Sequence, residues 1–206
     1  RFLNELHWVN LKQADAATEH VQKLVNLGTL VLKSSDISGD GLAKLGPLTR
    51  LETLHLNRCS EVDDEALLKL PSLPSLGTLF LSSNPLNGTG LKVLDKTPFL
   101  HFLDLNDTKV TSANLLHLST LTQLRTLFLD HTPIDDNAVP HLSYCTGLRS
   151  LDVGRTKFTQ EGIARLHAAL PRCAIRWDGG LVIPHKIVGL PAPIRKLGSA
   201  PPPAKA

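Results

Sequence analysis

The pattern L-x-x-L-x-L begins at Leu27 and returns at Leu51, Leu76, Leu100, Leu124 and Leu148. The step is 24 residues, except for one step of 25 between Leu51 and Leu76. A fixed period in this range marks a solenoid. Each repeat is one supersecondary unit that buries its apolar face only by stacking on its neighbours. Such a repeat says that a surface is displayed, but not to whom.

The first segment of each repeat alternates apolar and other residues with period two, as a short strand does. Leu30, Leu54, Leu79, Leu103, Leu127, Leu151 and Ile175 take the first inward position. Leu32, Leu56, Leu81, Leu105, Leu129, Val153 and Trp177 take the second. Leu6 and Trp8 fit the same frame one period earlier, so eight strand positions stack in parallel. In the second half of each repeat, Leu42/Leu45, Leu67/Leu70, Leu91/Leu94, Leu115/Leu118, Val139/Leu142 and Ile163/Leu166 are three apart, which suits a short helix. Ser38, Asp63, Asn87, Thr111, Asp135 and Thr159 stand before them as N-cap residues. Ile37, Val62, Leu86, Val110, Ile134 and Phe158 are expected to lock the strand-to-helix loop into the core. The extra residue, near Ser60-Glu61, falls in that loop, where insertions are tolerated. Ser35, Cys59, Asn84, Thr108, Thr132 and Thr156 form a further column, whose side chains are expected to bond the backbone of the turn next door.

This pattern resembles the leucine-rich-repeat family over roughly residues 3–178. The short period looks most like the 24-residue bacterial repeats and the related cysteine-containing repeats of F-box proteins. Cys59 matches the cysteine position in one copy only; the others carry Thr, Ser or Asn, which favours the bacterial type. The resemblance implies an α/β solenoid, with a curved parallel sheet on the concave face and short helices on the convex face. It also implies protein recognition through the concave sheet.

About seven repeats and a terminal strand place the repeat domain at residues 1–178. Trp177 stands where a capping residue would cover the last turn of core. Residues 179–206 are proline-rich, ending Pro201-Pro202-Pro203-Ala204-Lys205-Ala206, and read as a tail or linker. At the other end Phe2, Leu3, Leu6 and Trp8 begin in mid-pattern, without an initiator Met, and the chain reads as a piece of something longer.

Composition removes several functional classes. The net charge of +3 is a tail effect: Lys186, Arg195, Lys196 and Lys205 lie beyond residue 178, which leaves the body at −1. A nucleic-acid partner is therefore not expected. No run of about 18 apolar residues exists to span a membrane. Cys59, Cys145 and Cys173 are odd in number and far apart, with no C-x-x-C, so they read as free, buried thiols that fit a reducing, cytoplasmic compartment. Asn87-Gly88-Thr89-Gly90 is glycine-rich but sits at a helix start, and reads as turn chemistry.

Strand residues between the inward leucines face solvent, which makes functional candidates countable. The mid-strand column runs His7, Val31, His55, Phe80, Asp104, Phe128, Asp152, Arg176. Two residues earlier runs Glu5, Thr29, Thr53, Thr78, Phe102, Thr126, Ser150, Ala174. Three of the six phenylalanines, Phe80, Phe102 and Phe128, fall in these columns. At roughly 8 Å diagonally their rings are within reach of one another. Grouped aromatics on a sheet are what a protein-binding hot spot requires, with charge as its rim. The candidate surface comprises Phe80, Phe102 and Phe128 with His55, His101 and Asp104. Asp130, Asp152, Arg125 and Arg155 complete it.

Ser83, Asp107 and His131 follow the strands of three successive repeats and offer the side chains of a hydrolase triad. A triad needs His between Ser and Asp. Here Asp107 is in the middle, leaving Ser83 and His131 near 10 Å apart, and Asp107 is expected to pair with His131 instead. Asp104, Asp130 and His131 straddle different columns and form no metal motif. No catalytic, metal or cofactor site is therefore expected. The leading expectation is a non-catalytic module that binds a protein or peptide on its concave face. The alternatives are the target-recognition region of a multidomain enzyme or F-box-like ubiquitin-ligase adaptor, and a structural spacer.

Overall fold

In the computed structural model, which describes residues 3–184, the inward leucines form two continuous ladders. Leu30, Leu54, Leu79, Leu103 and Leu127 have no exposed surface, and neither do Leu32, Leu56, Leu81, Leu105 and Leu129. Removing a fully buried leucine side chain from water contributes about 2 kcal/mol. The stacking therefore sets the register of the strands: β1 (Glu5–Val9), β2 (Thr29–Lys33), β3 (Thr53–His55), β4 (Thr78–Phe80), β5 (Phe102–Asp104), β6 (Thr126–Phe128), β7 (Ser150–Asp152) and β8 (Ala174–Trp177). All eight run parallel in sequence order, and the inward residues pair with one another, as in Leu54↔Leu79↔Leu103↔Leu127.

A ninth strand departs from the expected pattern. β9 (Gly180–Val182) turns back and pairs antiparallel with β8 through Ile175↔Val182 and Trp177↔Gly180. The sheet thus runs past residue 178, where the sequence reading begins the tail. Gly179 makes the reversal possible: a Cβ there would lie 2.1 Å from the Trp177 ring. The half-buried Trp177 packs on the core, as expected of a cap, and β9 covers the otherwise open edge of β8. The tail beyond residue 184, and Phe2, lie outside the described residues.

The return segments carry α1 (Ala14–Val21), α2 (Gly39–Ala43), α3 (Asp64–Leu68), α4 (Val139–Leu142) and α5 (Gln160–Ala169). The fourth and fifth repeats instead use 3-10 turns, Thr89–Lys96 and Ala113–Leu118. Their apolar pairs are three apart, which a three-residue turn satisfies as well as an α-helix does. Every expected helix pair is buried except Val139, which is half-buried. Ser38, Asp63, Asp135 and Thr159 cap their helices as expected, accepting from Asp40, Ala66, Asn137 and Gly162 N–H groups. Asn87 accepts from Thr89 N–H at 3.0 Å, whereas Thr111 makes no such side-chain cap. The loop anchors Ile37, Val62, Leu86, Val110 and Ile134 are fully buried, and Phe158 is nearly so. Cys59 keeps the position of Ser35 while Val62 has gained one residue on Ile37, which locates the insertion between them.

The column after each strand divides by chemistry. Ser35 accepts from Leu11 N–H, the Cys59 thiol donates to Leu32 C=O, and the Asn84 amide spans Cys59 N–H and Leu56 C=O. These reach the preceding repeat, as expected. Thr108, Thr132 and Thr156 do not: each hydroxyl donates to the carbonyl three residues before it. A threonine has one short donor, and a local acceptor takes it first.

Asn87-Gly88-Thr89-Gly90 is turn chemistry with an internal anion. The Asp64 carboxylate of the preceding repeat accepts from Asn87, Gly88 and Gly90 N–H groups at 2.7, 3.0 and 2.7 Å. Backbone donors that would otherwise suit a phosphate are already satisfied. Gly90 is required by this approach, since a Cβ would lie 2.7 Å from Asp64 O and 2.9 Å from its Cα. Gly90→Ala should therefore lower stability by about 1–3 kcal/mol, read as a lower urea midpoint. Gly46→Ala, whose Cβ would come no closer than 3.5 Å to Pro71, should be near neutral and serve as the control.

Candidate functional site

Strand pairing places the outward columns as the alternation requires. His55↔Phe80↔Asp104↔Phe128↔Asp152↔Arg176 are cross-strand neighbours in one row, and Thr53↔Thr78↔Phe102↔Thr126↔Ser150 in the next. The rings on this face touch in sequence. His55 stacks on Phe80 with centroids 4.0 Å apart and planes at 8°. Phe80 meets Phe102 at 4.8 Å, tilted by 45°. Phe102 meets Phe128 at 5.3 Å, nearly edge-on at 79°. Phe102 thus bridges two phenylalanines that are separated by Asp104 in their own row. Aromatic pairs in such geometries contribute about 0.5–1.5 kcal/mol each beyond burial. All four rings are half-buried, so each keeps a face or edge toward solvent.

His55 continues the aromatic row to a fourth strand. Burial pushes its pKa down, helped by the Lys33 charge, so the ring is neutral at pH 7. A neutral imidazole stacks on Phe80 without carrying a desolvated charge.

The carboxylates at the C-terminal side are neutralised by the next repeat. Arg155 reaches back to Asp130 as a two-pronged pair, its Nε 3.1 Å from Oδ1 and its Nη2 on Oδ2. Arg176 places both Nε, at 2.8 Å, and Nη2 on Asp152 Oδ2. Arg155 holds the Asp130 carboxyl below its ordinary value, against the opposing effect of burial. Asp104 is different. Its Oδ1 accepts from Asn106 N–H at 3.0 Å and the Ser82 hydroxyl lies beside it, but none of the ion pairs among the described residues includes it. Burial pushes its carboxyl up, and the negative charges of Asp107 and Asp152 add to that shift.

His101 and Arg125 are not part of the aromatic row. Both are exposed and precede β5 and β6, on the edge where the strands begin. The His101 ring lies over Gly77, where a Cβ would be 2.6 Å from it. A shallow depression of about 450 Å³ runs along this edge, lined by Glu52, Thr53, Ser75, Gly77, Thr78, Phe99 and His101. Phe99 is 64% exposed and stands outside the strand columns, so period-two reasoning passes over it. Its signal lies in the register: the same position of the other repeats holds Asn26, Arg50, Ser75, Gln123 and Gly147.

Asp107 and His131 form the pair that column order predicts, with His131 Nδ1 2.5 Å from Asp107 Oδ1, while no hydrogen bond joins Ser83 to either among the described residues. Ser83, Asp107 and His131 share a backbone role: each has a positive φ, of 59°, 55° and 57°, and donates its N–H to the next repeat. The cysteines are buried, and their thiols are pushed up, Cys145 to about 11 and Cys173 to about 12, so they remain protonated. No helix of the described residues is long and apolar enough to cross a membrane.

Solved structures place this geometry. An internalin (inlF) from Listeria monocytogenes superposes with a TM-score of 0.65 at 18% identity, covering 84% of this chain and 46% of that one. An internalin C2 (inlC2) from the same organism gives 0.59 at 21% identity, covering 84% and 80%. A leucine-rich-repeat protein from Leptospira interrogans gives 0.54 at 20% identity, covering 76% and 44%. The chain thus spans about half the length of the first and third. No protein-family model and no curated protein matches the chain. These likenesses establish the fold as a leucine-rich-repeat solenoid.

The contrast between Asp104 and Asp130 has a measurable consequence. A carboxyl raised in the folded state costs stability at neutral pH, and that cost fades as pH falls through its folded value. A carboxyl lowered in the folded state stabilises above its ordinary value, and that stability is lost as pH falls. Asp104→Asn should therefore raise the melting temperature at pH 7, with the gain shrinking in acid. Asp130→Asn should lower stability at pH 7 by roughly 1 kcal/mol, discounted for the exposure of Arg155.

Proposed function

We propose that this chain is a non-catalytic recognition module that holds a protein or peptide against the concave face of its sheet, centred on Phe80, Phe102 and Phe128. The observation that carries the reading is the unbroken run of ring contacts from His55 to Phe128 across β3 to β6. Rings that only shielded the sheet would gain most by lying under another element. These are half-open instead, with no element of the described residues paired over them. Aromatic clusters of this kind, ringed by charge, carry most of the energy in protein interfaces. Asp130, Asp152, Arg155 and Arg176 supply such a rim, and their internal pairing leaves it close to neutral. His101, Arg125 and Phe99 extend the surface at the strand-start edge, where the depression offers room for a side chain of the partner.

The triple variant Phe80→Ala, Phe102→Ala, Phe128→Ala tests this reading. A displayed peptide library is selected on the wild-type chain, and the dissociation constant of each recovered peptide is then measured on both proteins. Peptides that use the aromatic face should lose at least 100-fold in affinity, equivalent to about 3 kcal/mol. Circular dichroism and urea unfolding of the variant confirm that the solenoid is intact. Binders that keep their affinity on the folded variant would sink the proposal.

A further inference from the structure

Three carboxylates on the open face are equally enclosed, with Asp104 7%, Asp130 7% and Asp152 6% exposed. Two of them receive an arginine from the following repeat. In the mid-strand row the partner of Asp152 on the next strand is Arg176; the partner of Asp104 on its next strand is Phe128. The same row places Phe80 on the other side of Asp104, and Phe102 touches both phenylalanines. The chain thus repeats the carboxylate of an Asp–Arg ladder at Asp104 and replaces the arginine with aromatic rings.

We propose that Asp104 receives an arginine side chain of the bound protein or peptide, its guanidinium bonded to the carboxylate and its plane lying against the ring of Phe80 or Phe128. The inference rests on the concave-face reading above and names the chemistry of the ligand at its centre. A guanidinium meets both halves of the site. Its paired N–H groups match a carboxylate, and its weakly hydrated faces stack on aromatic rings. The Arg176–Asp152 pair shows within this same sheet that a guanidinium can reach a carboxylate enclosed to this degree, while its own side chain stays 61% exposed. A lysine ammonium is a compact, strongly hydrated charge and gains less from the rings. An acidic or phosphorylated side chain would face the Asp104 carboxylate, which has no cation beside it among the described residues, and the further negative charges of Asp107 and Asp152.

N-acetyl-arginine amide, titrated into ¹⁵N- and ¹³C-labelled protein at neutral pH, tests the site directly. The side-chain carboxyl carbon of Asp104 and the backbone amides of Phe80 and Phe128 should shift together and saturate in the millimolar range. The uncharged isostere N-acetyl-citrulline amide should bind at least 10-fold more weakly, and the lysine analogue should fall between them. Asp104→Asn should reduce arginine binding to the citrulline level. Phe128→Arg, which supplies the missing internal arginine, should abolish it and decides the matter if the first variant fails to fold. Equal binding of citrulline and arginine, or arginine shifts that persist in either folded variant or that map to another carboxylate, would overturn the proposal. Such a failure leaves the concave-face reading standing, because the triple-alanine comparison judges that separately.

Discussion

Inward leucines from successive strands stack in two ladders, and the rest of the molecule hangs from that contact. No single repeat has a core of its own. Leu79 is buried because Leu54 and Leu103 lie on either side of it in the same row. A parallel sheet whose side-chain period is two cannot slip by one residue without turning these leucines to solvent. Register, the direction of every outward side chain and the spacing of the rings on the open face all follow from that penalty. The ends of such a ladder need covering, and at the C-terminal end the half-buried Trp177 and the antiparallel β9 provide it.

Satisfying the backbone of the turns is the second constraint, and here the repeats stop being interchangeable. Asp64 is spent on three N–H groups of the next repeat, and Asp36 accepts from Gln13 and Ala14 N–H groups of the preceding one. Each such carboxylate demands a particular neighbour, such as a glycine where a Cβ would strike backbone. The turn residues with positive φ, Ser34, Arg58, Ser83, Asp107, His131 and Arg155, belong to the same economy. A left-handed conformation costs a non-glycine residue about 1 kcal/mol or more. It is held because the N–H of each then meets an acceptor of the next repeat, as Ser83 meets Asn106 C=O and Asp107 meets Asp130 C=O. Ser83, Asp107 and His131 are therefore aligned by the scaffold, which is why they imitate a catalytic trio without the order that catalysis needs.

What could be read from the chain alone follows from what is periodic. The ladders, the loop anchors, the insertion between Cys59 and Val62, the Asp107–His131 pair and the contacts of Phe102 with Phe80 and Phe128 all depend on position within a repeat, and register makes them legible. The features that escaped depend on something aperiodic. Gly180–Val182 carries no leucine signature, so its return as an antiparallel strand falls in what reads as a tail. Asp64 and its three donors lie in different repeats, linked only by the fold. Thr108, Thr132 and Thr156 choose a local carbonyl over the neighbouring turn, a competition that residue type alone does not decide. Arg176 stands in the outward row like any other member, and only the geometry shows it neutralising Asp152. Phe99 lies between the strand and helix signatures, where neither period looks.

Asp104 joins the two kinds of information. Its place in the row is periodic, but its lack of a cation is visible only against Asp130 and Asp152, which have one. A carboxylate enclosed by aromatic rings and exposed to the field of two more carboxylates is a cost to the folded state. Other carboxylates of this chain are better supplied: Asp64 accepts from three backbone N–H groups, Asp135 from the Ser112 hydroxyl and the Asn137 amide, and Asp130 and Asp152 from arginine. Under the proposed function, a cost that Asp130 and Asp152 offset with arginine, and that Asp104 retains among half-buried aromatic rings, is the pattern expected where stability is yielded to recognition. A ligand that brought the missing positive charge would recover that cost on binding, and only when bound. In the proposed complex, the charge of the ligand at this point, as well as the apolar area it covers, would be a source of both affinity and discrimination.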